Sequence, residues 1–388
     1  MEVKRFSILF VLFIGVLLAF VVPYSRVGWG ENDFLRYWSA TKIFVSGGNP
    51  YSFDSLKQMQ IAIKPELVTN SEIVQAWNPP WLMLLLSPLT LVNFNLATKV
   101  WILINISLIT FSLYLVWEIV FQPNDRKGLI IIYGAGFLFS NTIDLLRLGQ
   151  ISSILLIGLV ITIYFLQKKF FFWAGFGLLL LTIKPQITYL VLLVVLIWVI
   201  RNKHWRVIFG LAISGIISII VVSIIFPEWL SAYLQTILSL PYSQIYTSTL
   251  GSLVEVNFGI NLIKYIGILL IPLAFLLSKN VEKFGWLTVL NISLVISIPL
   301  APYGFNFDHI LLLPAVVQMI SWIRYRELPA NYAVALSTGI AIIYLFLISL
   351  TNVIGAVPYY WFVWPSILLA GLYLIGWAFT SEKYKQAY

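Results

Sequence analysis

The stretch GENDFLRYWSATKIFVSGGNPY, residues 30–51, decides how this chain is read. It crowds Glu31, Asp33, Arg36 and Lys42 into a few turns and ends in Gly-Gly-Asn-Pro-Tyr. An apolar run over 6–24 precedes it, and a long series of apolar runs follows. Of 388 residues, 60% are hydrophobic and 10% charged, whereas a soluble domain carries about 25% charge. The chain therefore reads as a polytopic membrane protein, and the stretch as a polar loop leaving its first helix.

The apolar runs fall at about 6–24, 79–92, 95–120, 129–143, 151–167, 170–183, 186–200, 207–226, 263–278, 286–301, 309–323, 332–350 and 361–379. Roughly 20 residues span a bilayer, so several are short. No small-residue cleavage site follows the first run, which reads as a retained helix rather than a signal peptide. Lys4/Arg5, Arg126/Lys127, Lys168/Lys169, Arg201/Lys203/Arg206, Lys279/Lys283, Arg324/Arg326 and Lys383/Lys385 sort to one side, fifteen of the 24 Lys and Arg. An excess of Lys and Arg marks the cytoplasmic face. Both termini are then cytoplasmic, and the number of crossings is even. If 79–92 enters without crossing, twelve helices remain. The expected fold is one all-α multi-span domain over 1–388, with a first outer loop at 25–78 and a second at 227–262. The net charge of +9 is a topology signal and a match to anionic lipid, not a nucleic-acid patch. With no cysteine and two histidines, a disulfide framework and a Cys or His metal site are not expected.

Within the first outer loop, 33–46 reads as a short helix, capped by Asn32 or Asp33 and ended by Gly47-Gly48. Phe34, Trp38 and Phe44 suit the headgroup zone. Asn49-Pro50 turns the chain, and Ser52 or Asp54 can cap a second helix running to Ile63. Ionisable residues at the outer boundary are functional candidates: Asp33, Asp144 with Arg147 ahead of Gly149-Gln150, Lys184-Pro185-Gln186, and Asp308-His309. Cations there would hold phosphate oxygens, and a separate acid would take a proton from an attacking hydroxyl. Each also has a structural reading. Asp33 can be a cap, Lys184 can snorkel, Asp144 and Arg147 can pair at i,i+3, and His309 can close a helix start.

The order of these pieces resembles a known family. An acid follows the first helix, then aromatic-Ser-Ala and Gly-x-Asn-Pro-Tyr: Asp33, Tyr37-Trp38-Ser39-Ala40, Gly48-Asn49-Pro50-Tyr51. Next come Trp77-Asn78-Pro79-Pro80 with Ser87-Pro88-Leu89, then Arg147-Leu148-Gly149-Gln150 and Ala174-Gly175 with Lys184-Pro185. Asp308-His309 ahead of Leu311-Leu312-Leu313-Pro314 completes the set. Over about residues 30–320 this resembles the polyprenol-phosphate-mannose-dependent mannosyltransferases, glycosyltransferase family 87 of the GT-C superfamily. The resemblance implies a cell-envelope enzyme with an extracytoplasmic site. It implies transfer of a hexose, mannose first, from a polyprenyl-monophosphate donor to a glycan or glycolipid hydroxyl, with inversion. It further implies Asp33 as general base, and Lys184, Arg147, Gln150, His309 and Asp308 near the donor phosphate or sugar. Tyr37, Trp38, Asn49, Tyr51, Trp77, Pro79 and Pro80 would shape the loop, with Trp38, Tyr51, Trp77 and Trp81 available to stack on sugars. No cofactor or metal is implied beyond the donor. Where the family has Tyr-Pro-Pro, this chain has Trp77-Asn78-Pro79-Pro80. Arabinofuranosyl transfer, a transporter and a lipid flippase are the alternatives.

Overall fold

A computed structural model describes residues 32–65, 75–239, 246–325, 327–328, 332 and 359–386. The run at 6–24, and that at 332–350 apart from Tyr332, lie outside the described residues. Among the described residues there is no strand.

Both helices expected in the first loop form. Helix α1 (Asn32–Val45) gives way to Gly47, whose φ of +78 few other residues adopt. Helix α2 (Phe53–Ile63) is capped by Ser52, whose hydroxyl accepts the Ser55 N–H at 3.3 Å. The aromatics of α1 do not face headgroups. Phe34, Trp38 and Phe44 are buried in the core. Phe34 stacks on Phe94 and Trp101, with ring centroids 6.0 and 5.6 Å away. The Trp38 indole donates to the Leu89 carbonyl at 3.0 Å. Burying each such ring contributes about 1.5–3 kcal/mol, which holds α1 down on the bundle.

Helix α3 (Trp81–Leu86) continues as the 3-10 turn Ser87–Leu91; at about 1.5–2 Å per residue it is too short to cross alone. Asn93 then caps α4 (Phe94–Val120), the longest helix. Asp125 caps α5 (Arg126–Leu138), which bends by 55° into α6 (Ser140–Leu148). There follow α7 (Ser152–Gln167), α8 (Phe171–Leu181), α9 (Pro185–Asn202), α10 (Arg206–Ile225), α11 (Trp229–Ser239) and α12 (Leu250–Phe258). The 3-10 segment Asn261–Leu270 leads into α13 (Ile271–Lys279), then α14 (Val281–Phe284) and α15 (Trp286–Ser297). The 3-10 turn Asn306–Leu312 runs into α16 (Leu313–Arg324), and Tyr359–Phe362 into α17 (Val363–Gln386).

The expected twelve crossings are not reached among the described residues. Five helices are long and apolar enough: α4, α9, α10, Asn306–Arg324 and Tyr359–Thr380. The bent pair α5–α6 makes six if it counts as one span. Trp81–Leu91, α7, α8 and α15 are apolar but shorter. The run at 263–278 is broken between a 3-10 segment and a nine-residue helix with Pro272 at its start. Several runs thus form short or broken helices packed on one another.

Small residues bring the fragments together. A Cβ on Gly158 would sit 2.7 Å from the Leu180 Cβ and 3.0 Å from the Gly177 carbonyl. Close backbone approach of this kind is how helices associate without a hydrophobic driving force. Three helices then connect two ends of the molecule. Helix α4 starts beside α1 and ends where the Trp117 indole meets the Asp125 carbonyl at 3.2 Å, about 40 Å away by helix rise. The segment 306–324 runs from Asp308 to Arg324, and Arg324 grips Asp125 through two bonds of 2.7 and 2.8 Å. Helix α9 runs from Lys184 to Arg201 and Lys203. The basic loops therefore gather at one end, and the starts of these helices at the other.

Candidate active site

At that other end lies a cleft of about 450 Å³. Its walls come from α1 (Arg36, Tyr37), the loop before α3 (Trp77, Asn78), Gln150, the α8–α9 break (Ile183 to Gln186), α11 (Tyr233, Ile237), Lys264 with Tyr265, and Pro302, Tyr303, Phe305 and Phe307.

Gln150 arrives there because Gly149 takes the left-handed conformation, φ +71, that ends α6. Trp101 fixes that turn by donating to the Gly149 carbonyl at 2.9 Å. Gln150 then joins two residues of α1. Its amide donates to Asp33 Oδ2 at 2.5 Å, and its carbonyl accepts the Tyr37 hydroxyl at 3.0 Å. The other Asp33 oxygen holds Arg36 at 2.5 Å. Asp33 thus stands one step behind the wall that Arg36, Tyr37 and Gln150 present.

Lys184 ends up in the wall because α8 stops at Leu181 and Pro185 opens α9. Its ammonium lies 2.6 Å from Asp308 Oδ1 and 5.0 Å from the Phe307 ring centroid. Asp308 is fully engaged: Ser152 donates to Oδ1 at 2.5 Å, and the Phe305 N–H donates to Oδ2 at 3.1 Å. Lys264 repeats the pattern on another wall. It is buried, pairs with buried Glu255 and lies 5.7 Å from the Tyr246 ring centroid. Gly251 makes room for it, since a Cβ there would sit 2.8 Å from Lys264 Cα and 2.9 Å from Cγ.

Three cations therefore face the cleft, and the acid paired with each lies outside its walls. Burial pushes the Tyr37 and Tyr303 phenols above their ordinary value, so both remain hydrogen-bond donors at neutral pH. The surface is mostly aromatic and apolar with fixed positive groups, which suits an anionic substrate carrying flat or hydrocarbon faces.

Of the residues singled out in the sequence, Tyr37, Trp77, Gln150 and Lys184 line the cleft, and Asp33 and Asp308 stand behind it. Arg147 does not line it: 59% of its side chain is exposed and it lies 3.6 Å from Asp144, whose other oxygen accepts Asn306 at 2.5 Å. His309 faces a separate small cavity beside Asn141 and Ser366, with its Nε2 unbonded. Tyr51 packs on Tyr233 and donates to the Asn78 carbonyl at 3.0 Å. Asn49 accepts the Tyr51 N–H at 3.0 Å, and Pro79 and Pro80 start α3. Trp38 and Trp81 lie outside the cleft walls, so Trp77 alone of the four tryptophan and tyrosine candidates for sugar stacking lines it. Gln186, from the Lys184-Pro185-Gln186 candidate, also lines the cleft, whereas Arg36, Lys264 and Tyr303 were not singled out as site residues. Arg36 has a signal, its i,i+3 spacing from Asp33. Lys264 has none, because it merely opens an apolar run.

A multi-span helical chain with a cation-lined aromatic cleft is, by class, a membrane protein with a cleft suited to an anion. The chain belongs to glycosyltransferase family 87, whose model matches residues 77–349. It is thus a membrane glycosyltransferase. The match begins after Asp33 and Arg36, which reach the matched region through Gln150. No curated protein and no solved structure matches the chain.

Proposed function

We propose that this glycosyltransferase moves a hexose, mannose first, from a polyprenyl-monophosphate donor to an acceptor hydroxyl, with inversion, on the extracytoplasmic side. The observation that carries the reading is the placing of Arg36, Lys184 and Lys264 on one cleft with their counter-charges withdrawn behind. The position of the cleft opposite the basic loops supports the sidedness, because those loops mark the cytoplasm.

Asp33 is the general base. The acceptor hydroxyl takes the place of the Gln150 amide on Asp33 Oδ2 and gives up its proton as it attacks the anomeric carbon. One C–O bond forms there, the bond to the donor phosphate breaks, and the electron pair leaves on the phosphate oxygen. Lys184 and Arg36 receive that charge; fixed cations aimed at developing charge are worth about 10²–10³ in rate. Trp77, edge-on to Tyr303 at 5.9 Å, offers a face for the sugar.

The test is reconstitution of the full chain in liposomes with decaprenyl-phosphate mannose, and with decaprenyl-phosphate arabinofuranose in parallel. Membrane lipid and glycan extracts from cells lacking the protein serve as acceptor. Label should pass from the mannosyl donor and disappear with Asp33→Asn. Transfer by Asp33→Asn at the unmutated rate would remove the base assignment, and transfer from the arabinosyl donor alone would replace the sugar.

A further inference from the structure

The α9–α10 hairpin, at the basic end, carries a second cavity that the transfer reaction does not use. Lys203, His204, Trp205 and Arg206, with Phe171 and Phe209, line an open pocket of about 390 Å³. Lys203 ends α9 in the left-handed conformation, φ +57, and the His204 N–H then bonds back to the Val199 carbonyl at 3.0 Å. This pins the His204 ring between Trp198 and Phe171, with centroids 4.5 and 4.3 Å away. Gly175 and Gly210 bring α8 and α10 so close that a Cβ on Gly210 would strike the Phe172 carbonyl. The start of α8 and the first turn of α10 thereby become two walls of one pocket.

Its charge is unbalanced. From residue 145 to 227 the sequence has seven Lys and Arg and no acid. Among the described residues, Lys203 and Arg206 take part in no ion pair, unlike Arg36, Arg147, Lys184, Lys264 and Arg324. Glu282, on the nearby α14, is exposed and takes part in none either. Arg206 opens α10, whose first N–H groups have no side-chain cap and add partial positive charge. Leading away from the pocket, α10 is the least enclosed candidate span, 17% buried, with Phe209, Ile213, Ile216, Ile217 and Ile220 exposed.

From this we infer that the pocket holds the phosphate headgroup of an anionic glycerophospholipid, whose acyl chains lie along α10. Basic pockets between membrane helices select such headgroups. Two unpaired cations call for an anion without its own counter-charge, which a choline headgroup brings. The apolar track calls for hydrocarbon, which free phosphate lacks. The aromatic rings of Trp205 and Phe209 sit where chain meets headgroup.

The experiment uses the full chain, purified in detergent and stripped of lipid. It is titrated with palmitoyl-oleoyl phosphatidylglycerol, palmitoyl-oleoyl phosphatidylcholine or inorganic phosphate, with bound lipid counted by native mass spectrometry. Phosphatidylglycerol should bind at least about 10-fold more tightly than phosphatidylcholine, as two cations near a headgroup imply. The pair Lys203→Gln/Arg206→Gln should lose that preference. The pair Arg126→Gln/Lys127→Gln, on another basic loop, should keep it. Equal losses from both pairs would reduce the site to diffuse attraction and overturn the inference. So would equal binding of the two lipids, or binding of phosphate as tight as that of phosphatidylglycerol.

Discussion

The cleft and the basic end both present cations, but they hold them in opposite ways. Arg36, Lys184 and Lys264 are mostly or wholly withdrawn from solvent, and each leans on a carboxylate. Lys203 and Arg206 stand exposed with no acid beside them among the described residues. Burying a charge costs several kcal/mol unless a partner and hydrogen bonds offset it, so a cation meant to sit at a fixed point inside the protein needs an acid. An exposed cation needs none, but its position is correspondingly loose. Fixed positive groups suit bond breaking, where charge appears at one atom. Loose ones suit holding a headgroup.

The sharpest way to break this contrast is at Asp33. Asp33→Asn should lower transfer by about 10²–10⁴-fold, the usual contribution of a general base, while donor binding persists. Radiolabel transfer and donor binding to the same preparation separate the two effects. If binding falls and the rate constant does not, Asp33 serves only to hold Arg36.

The pair behind the cleft gives the next effect. Lys184→Met alone should destabilise the chain by about 3–5 kcal/mol, because Asp308 is left buried and unpaired. Adding Asp308→Asn should recover most of that loss without restoring donor binding. Thermal unfolding in detergent, read beside donor binding, checks both. A smaller change is expected from Gly251→Ala, where the new methyl group presses on Lys264. Overpacking of this kind costs about 1–3 kcal/mol, and the donor affinity should fall with it as Lys264 shifts.

The smallest effect should come from the far end. The Arg324 hydrogen bonds beside Asp125 hold its carboxyl down to about 2. A depressed carboxylate stabilises the fold above its unfolded value near 4 and loses that contribution as pH falls through 2. Wild type and Arg324→Gln should therefore differ most in melting temperature at pH 5 to 7, and the difference should shrink below about pH 4 and vanish at about pH 2. A difference that grows as pH falls would contradict the assignment.

The fold class and the two loop helices were legible in the sequence, because they depend on composition and capping. What was not legible depends on rotation. Arg147 and Gln150 belong to one short motif, yet the left-handed Gly149 between them sends Gln150 to the cleft and leaves Arg147 at Asp144. Asp308 and His309 are neighbours on a 3-10 turn, where successive side chains point about 120° apart, so one meets Lys184 and the other a different cavity. The number of crossings was not legible for a related reason. An apolar run shows that a segment avoids water, and the close Gly158–Gly177 contact shows how protein can replace lipid around it.

Pro185 has a consequence beyond opening α9. A residue followed by proline is largely barred from the helical region, and Lys184 accordingly sits at φ −134, ψ 71. Its backbone freedom is thus restricted even in the unfolded chain, and more fully lost once the helix forms. A phosphate arriving later finds the stem of its cation already aimed. In entropic terms, part of the ordering that binding requires is done during synthesis of the fold. Relaxing it by Pro185→Ala would therefore show in the temperature dependence of donor affinity before it showed in the melting point.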